Sequence, residues 1–199
     1  MISALVGARL FHVFYESYSF YQENWWRVFY LWNGGFVFYG GAFLSTIAGL
    51  LYLRHYRPGE ERTYLDLFAP VCSLAYALGR TGCLFAGCCF GRYCNLPWAI
   101  QGRHPTQLYA SVWEAGVLLI LLGLEKTKKK DRVALLREPG SVFFLWMVLH
   151  GFGRMIMENF REDFRGPQWG VSISSWLSLC LILLGAYFLA KQKKPACEA

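Results

Sequence analysis

Gly79-Arg80-Thr81-Gly82-Cys83-Leu84-Phe85-Ala86-Gly87-Cys88-Cys89-Phe90-Gly91-Arg92-Tyr93-Cys94 stands at the end of an apolar segment. It gathers Arg80, four glycines (Gly79, Gly82, Gly87 and Gly91) and four of the chain's seven cysteines. Glycines let backbone approach backbone, or a ligand, closely. Apolar segments that carry charges of their own flank the stretch on both sides. It reads as the lip of a site in a helical membrane protein, and the rest of the chain is read outward from it.

Composition sets the class. The 199 residues are 55% hydrophobic, 18% aromatic and only 17% charged, whereas a soluble domain is about 45–50% apolar and about 25% charged. A net charge of +7 raises the question of nucleic acid. The basic residues, however, are concentrated in short loops between apolar segments, which is the pattern of a membrane protein and not of a nucleic-acid-binding face. Met1 opens without a charged n-region, so no cleavable signal peptide is expected. No internal repeat is apparent.

Six apolar segments lie at roughly 2–18, 36–53, 63–82, 104–124, 140–159 and 171–190, and about 20 residues suffice to cross a bilayer. The expected fold is all-α, a single polytopic membrane domain over 1–199 with about six transmembrane or interfacial helices. The first segment is short and carries Arg9, His12 and Glu16. Residues 19–35, rich in Trp and Tyr, suit an interfacial loop at headgroup level. If the segments alternate, one side receives Arg54, Arg57, Arg62, Lys126, Lys128, Lys129, Lys130, Arg132, Arg137, Lys191, Lys193 and Lys194. The other receives Arg27, Arg92, Arg103, Arg161 and Arg165. Twelve against five places the first side in the cytoplasm. Both termini, the basic loop 125–138 and the tail 191–199 are then cytoplasmic, and the cysteine-rich loop 83–103 faces outward. There disulfides can persist. Cys72 and Cys180 read as small buried hydrophobes, and Cys197 lies in the tail.

Charges inside spans cost about 2.5–3.5 kcal/mol each on insertion scales and usually mark function or a compensating pair. His150, Arg154 and Glu158 recur every four residues on one helix face, with Arg161 just beyond. An Arg154–Glu158 ion pair is the bland reading of that face, and it leaves room for a functional Arg154. Arg9, His12 and Glu16 repeat the idea in the first segment; Arg80 closes the third and Glu114 sits inside the fourth. Arginines from three segments meeting near the outer half would form a socket for an anion, because the guanidinium fork matches phosphate oxygens. In a membrane, the abundant phosphate is a phospholipid headgroup. His104 at the start of the fourth segment is a candidate base, ligand or cap, and Pro105 suits a first helical turn.

The order of motifs resembles the prolipoprotein diacylglyceryl transferase family. They are Gly7-Ala8-Arg9, Trp32-Asn33-Gly34-Gly35, Tyr39-Gly40-Gly41, Gly79-Arg80-Thr81-Gly82, His104-Pro105-Thr106-Gln107-Leu108-Tyr109, and Arg154-Met155-Ile156-Met157-Glu158-Asn159-Phe160-Arg161. The resemblance implies a multi-pass enzyme of the bacterial inner membrane. Such an enzyme moves the diacylglyceryl group of phosphatidylglycerol onto the thiol of a lipobox cysteine in a preprotein and releases glycerol phosphate. It implies that Arg80 and Arg154 are catalytic, holding the lipid phosphate and stabilising charge as it departs. Glu158 and Arg161 would be the charged pair beside Arg154. Arg9, Gly40, Gly41, Gly82, Gly91, His104, Gln107 and Tyr109 would line the substrate. This chemistry needs no metal or cofactor.

Three positions depart from the family pattern. Tyr39 stands where the family usually has a histidine proposed to deprotonate the acceptor thiol; tyrosine, with a pKa near 10, is a weak base but a good donor. Cys83 replaces an asparagine and Cys88 an acidic residue. The loop between Gly91 and His104 is shorter than in many members, and the family's first span has no counterpart before Met1. Three readings of the cysteines stay open. Cys83, Cys88 or Cys89 could be a nucleophilic or redox thiol beside cationic Arg80. Cys83, Cys88, Cys89 and Cys94, with His104, could bind a metal, although C-x4-C-C-x4-C is not a common zinc pattern. Disulfides could staple the loop. A thiol–disulfide or metal-handling membrane protein is therefore the alternative function. A related transferase with another acceptor, or a non-catalytic lipid-binding subunit, are further ones.

Overall fold

The computed structural model describes residues 1–128, 138–161 and 172–192. The basic positions Lys129, Lys130, Arg132, Arg137, Arg165, Lys193 and Lys194, and Cys197, lie outside the described residues. The described chain is helical, with isolated β-bridges between Tyr93 and Arg103 and between Ile100 and Arg103. It divides by contact into two units, Met1–Glu61 and Arg62–Ala199.

The first unit contains α1 (Ile2–Phe11), a π-helical turn (His12–Glu16), α2 (Tyr18–Gln22), two 3-10 turns (Trp25–Phe29 and Leu31–Asn33) and α3 (Phe38–Tyr56). The first apolar segment is thus broken. Its apolar helical run is Ile2–Tyr15, about 21 Å at 1.5 Å per residue, short of a hydrocarbon core of about 30 Å. Residues 19–35, read as loop, form short helical turns instead. Gly7 and Gly40 set the approach of α1 to α3: a Cβ on Gly40 would stand 2.4 Å from the Gly7 carbonyl oxygen. Small residues at such crossings are a membrane-helix device.

The second unit contains α4 (Glu61–Phe85), α5 (Thr106–Lys128), α6 (Ser141–Glu158) and α7 (Ile173–Gln192). Glu61–Phe85, Thr106–Lys126 and Ser174–Lys191 are each long and apolar enough to cross a membrane. At 19 and 18 residues, α3 and α6 also fall within the length range of spans. Leu119, Leu183 and Leu74 point outward among many exposed apolar side chains, as a lipid-facing surface requires. Ala69, Val117, Leu121 and Val142 are buried between α4, α5 and α6, against Trp113, Phe143 and Trp146. Gly151 and Gly185 bring α6 and α7 together; a Cβ there would meet the Ser178 and Phe144 carbonyl oxygens at 2.8 and 2.7 Å.

Buried polar groups tie these helices in pairs. Glu114, 2% exposed, accepts from Ser73 Oγ at 2.8 Å and lies 2.6 Å from His150 Nδ1. The charge that the sequence placed alone inside the fourth segment is thus shared by α4, α5 and α6. Asp66 accepts from the backbone N–H groups of Gly140 and Phe143, at 2.9 and 3.0 Å. That satisfies orphan donors at the start of α6 with an anion, where the helix dipole favours one.

Candidate active site

Two contacts fix the register of α4 against α6. Asp66 bonds Gly140, and the ring of Tyr76 meets the edge of His150 with centroids 4.8 Å apart. Both pairs are separated by 74 positions, and so are Arg80 and Arg154. The helices therefore run parallel, and equal rise per residue carries the two arginines to one level, one turn past the Tyr76–His150 contact. That level is where α4 and α6 finish and α5 begins.

The loop after α4 follows from its glycine. Gly87 has φ +66°; the Cys88 N–H bonds the Cys83 carbonyl at 3.1 Å and the Gly87 N–H bonds Leu84 at 3.1 Å. This is a Schellman end, which folds the residue after the glycine back over the last helical turn. Here the two residues brought together are Cys88 and Cys83. Cys89 also adopts a left-handed conformation, φ +67°, uncommon outside glycine and asparagine. The start of α5 holds this conformation: Thr106 Oγ1 donates to the Cys89 carbonyl at 2.9 Å, and Gln107 Nε2 donates to the Cys88 carbonyl. Further on, Gly91 and His104 are joined by a 2.9 Å backbone bond, and Arg92 N–H bonds the Phe160 carbonyl at 2.9 Å. Gly91 must be glycine, since a Cβ would stand 2.3 Å from the Phe160 oxygen.

Arg80 is half-buried, with its Cζ 4.9 Å from the centroid of the Tyr76 ring, a cation–π distance. Among the described residues its guanidinium makes no hydrogen bond or ion pair. A Cβ on Gly79 or Gly82 would meet nothing within 4 Å among the described residues beyond its own helix. Tyr76 Oη and Gln107 Oε1 are buried without a hydrogen-bond partner, and orphaned polar atoms mark places where a ligand or water completes the bonding. Arg154 donates to Ser174 Oγ on α7. Its distance to Glu158 Oε2 is 3.6 Å, beyond a hydrogen bond, so the ion pair within α6 forms without one. Ser172 Oγ donates to Glu158 Oε1 at 2.6 Å. Sequence reasoning missed Tyr76, Ser172 and Ser174. Tyr76 alone had a signal, lying one turn before Arg80 on the same face.

Arg9 is the contrast. It is 5% exposed, and its five N–H groups meet the carbonyls of Val28, Gly34, Gly35, Arg27 and Tyr30. A guanidinium has five donors in all, so Arg9 holds residues 27–35 folded around it. A cavity of about 500 Å³ beside it is lined by His12, Tyr21, Arg27 and Tyr30, but its buried cation is already satisfied. Gly40 and Gly41 likewise pack against α1 backbone. Tyr39 lies in the first turn of α3.

The cysteines separate into groups. The thiols of Cys83, Cys88 and Cys89 all lie within 4.8 Å of one another, while Cys94 and His104, expected with them as ligands, stand apart. His104 is buried, its ring 5.2 Å from that of Phe160, with Tyr109 Oη 3.5 Å from Nδ1. Trp98 donates to the same Tyr109 oxygen at 2.8 Å. Cys72, Cys83, Cys88, Cys89, Cys94 and Cys180 are free thiols. The Cys88 thiol donates to Cys89, and that bond, followed by burial, pushes Cys88 up to about 11. Burial raises Cys89 too, but the bonds from Cys88 and Arg161 and the nearby charge of Arg80 outweigh it and hold Cys89 below the ordinary thiol value.

These elements define a helical membrane protein whose cationic, partly open site lies at one end of α4 and α6. The model of the family described as prolipoprotein diacylglyceryl transferase matches residues 1–191. A phosphatidylglycerol–prolipoprotein diacylglyceryl transferase of Gloeobacter violaceus is 33% identical over 98% of this chain and 77% of its own length. The enzyme of the same name from Streptococcus pneumoniae is 34% identical over 96% of this chain and 74% of its own. That of Streptococcus equi subsp. zooepidemicus is 30% identical over 96% and 75%. The chain belongs to the prolipoprotein diacylglyceryl transferase family, and it is a membrane transferase.

Proposed function

We propose that this protein transfers a diacylglyceryl group from phosphatidylglycerol, or a similar anionic phospholipid, to the cysteine thiol of a lipobox-containing preprotein. The thiolate sulfur attacks the glycerol carbon that bears the phosphate ester. A thioether forms, the carbon–oxygen bond to phosphorus breaks, and glycerol phosphate leaves with the electron pair; the thiol proton passes to solvent or to the leaving phosphate. Arg80 and Arg154 bind the phosphate and stabilise the charge gathering on it. The observation that carries this reading is the half-buried Arg80, which rests on the Tyr76 ring and makes no hydrogen bond or ion pair among the described residues, beside Gly79 and Gly82. Gln107, His104 and Tyr109 border the cysteine loop next to it, and Arg161 lies against Cys89. The charge count along the sequence supports both termini in the cytoplasm and the site toward the outer face of a bacterial inner membrane.

Proteoliposomes with labelled phosphatidylglycerol and a lipobox peptide test the reaction. Labelled peptide stable to hydroxylamine, and absent when the peptide cysteine is serine, is the expected result. Folded protein that gives no labelled peptide would remove the preprotein as acceptor. The gathering of Cys83, Cys88 and Cys89 favours, as second reading, a thiol–disulfide or metal-handling protein on the same fold. That reading requires function to be lost with Cys88→Ser and to survive Arg80→Ala.

A further inference from the structure

We propose that Cys83, Cys88 and Cys89 form a three-thiolate site for a thiophilic d10 metal cation at the edge of the Arg80 site. The three sulfur atoms already lie within 4.8 Å of one another. Zinc–thiolate bonds of about 2.3 Å put neighbouring sulfurs of a tetrahedral site about 3.8 Å apart, so closure needs only side-chain adjustment.

The backbone prepares this arrangement. The Schellman end at Gly87 stacks Cys88 over Cys83, and the left-handed Cys89 turns the third sulfur back toward them. Thr106 and Gln107 hold the carbonyls of Cys89 and Cys88, which fixes the loop without using the thiols. Among the described residues the donor set contains sulfur only, with no carboxylate or imidazole in the cluster. Such a set selects soft or borderline ions such as Zn(II), Cd(II) or Cu(I) over Mg(II) and Ca(II). Three thiolates on a divalent ion leave one net negative charge, and Arg80 and Arg161, both felt at Cys89, offset it. Cys88 is exposed, giving an ion a path of entry and a fourth position open to solvent. Binding releases the thiol protons and needs no oxidant. It does not rest on the donor or acceptor of the transfer reaction.

The test is a titration of the full chain, reduced and kept free of oxygen in detergent, with Cd(II) alone. Sulfur-to-cadmium absorption in the ultraviolet and bound metal by mass spectrometry are the readouts. Expected is saturation at one ion per chain, displaced by Zn(II). Serine at position 83, 88 or 89 should each weaken binding at least about 100-fold, beyond the effect of losing an outer-shell partner. Cys94→Ser and Cys180→Ser should leave it unchanged, and circular dichroism establishes folding of each variant. Absence of a saturable one-ion site in the folded wild type would overturn the proposal. So would a signal that survives the Cys88→Ser, Cys89→Ser double variant. Disulfides among these thiols in protein alkylated inside intact cells would do the same.

Discussion

Arg80 carries its guanidinium 4.9 Å from the centre of the Tyr76 ring, on the turn of α4 that leads into the cysteine loop. The aromatic face supports the cation but uses none of its N–H groups, so the charge is held in place while its donors make no hydrogen bond among the described residues. Arg9, on α1, has the same side chain and the opposite condition. The two residues divide the roles that one residue type can play in a membrane protein.

For Arg9, the five carbonyls around it set the outcome. Arg9→Ala strands buried acceptors along 27–35, each costing about 1–3 kcal/mol if left dry. A drop in thermal midpoint with new proteolytic cleavage in 19–35 is expected. An unchanged midpoint with lost phospholipid binding would instead make Arg9 a ligand-binding residue.

The contact between Glu114 and His150, at 2.6 Å, gives a signed pattern of stability. Glu114→Ala leaves His150 without its carboxylate partner, while Ser73 keeps its 2.9 Å bond to the Glu114 carbonyl, and should cost about 3–5 kcal/mol. Replacing both Glu114 and His150 with leucine should cost less than either single change, because no buried polar partner is left behind. Chemical denaturation of Glu114→Leu, His150→Leu and the double variant checks the order; additive losses would mean that the pair is not coupled.

Gly82 and Gly91 should respond in opposite ways. Gly91→Ala forces a Cβ to 2.3 Å from the Phe160 carbonyl and should destabilise by about 1–3 kcal/mol. Gly82→Ala meets nothing within 4 Å among the described residues beyond its own helix and improves helix propensity by about 1 kcal/mol. If lipid passes over Gly82, that variant keeps or gains stability while its KM for lipid rises. A variant equal to wild type in both measurements would show that the open face is not used.

In metal-stripped protein, Cys89 and Cys88 should alkylate with separate pH profiles. Cys89, held below the ordinary thiol value, becomes thiolate at lower pH, whereas Cys88, near 11, reacts fully only in strong alkali. Arg161→Ala removes a bond and a positive charge from Cys89, so its midpoint should move up. Mass spectrometry of labelled peptides across pH reads both midpoints. A Cys88 midpoint below that of Cys89 would reverse the assignment.

Much of this was legible in the sequence because spans and intramembrane charges leave strong signals. The apolar runs located α3 to α7 within a few residues, and the four-residue spacing of His150, Arg154 and Glu158 gave the charged face of α6. The partners across helices were not legible. Nothing in one helix tells that His150 meets Glu114, that Asp66 serves α6, or that Ser174 bonds Arg154, since those pairs depend on helix register. The five carbonyls around Arg9 were not legible either, because a satisfied and an unsatisfied arginine look alike in sequence and these carbonyls come from irregular turns. The thiol cluster was half legible: Gly87 and Cys88, four and five residues after Cys83, fit a Schellman end, but the left-handed turn at Cys89 has no sequence signal of its own.

The most direct measurement is the transfer rate of Arg80→Ala beside wild type and Arg80→Lys, in protein whose thermal midpoint is unchanged. Loss of a positioned donor to developing charge typically costs about 100- to 1,000-fold. A phosphate held by Arg80 therefore requires at least about a 100-fold fall in kcat for alanine, with partial recovery by lysine, which keeps the charge but not the fork. Activity of Arg80→Ala within about threefold of wild type would contradict that role, since no oxyanion donor of consequence is removed so cheaply.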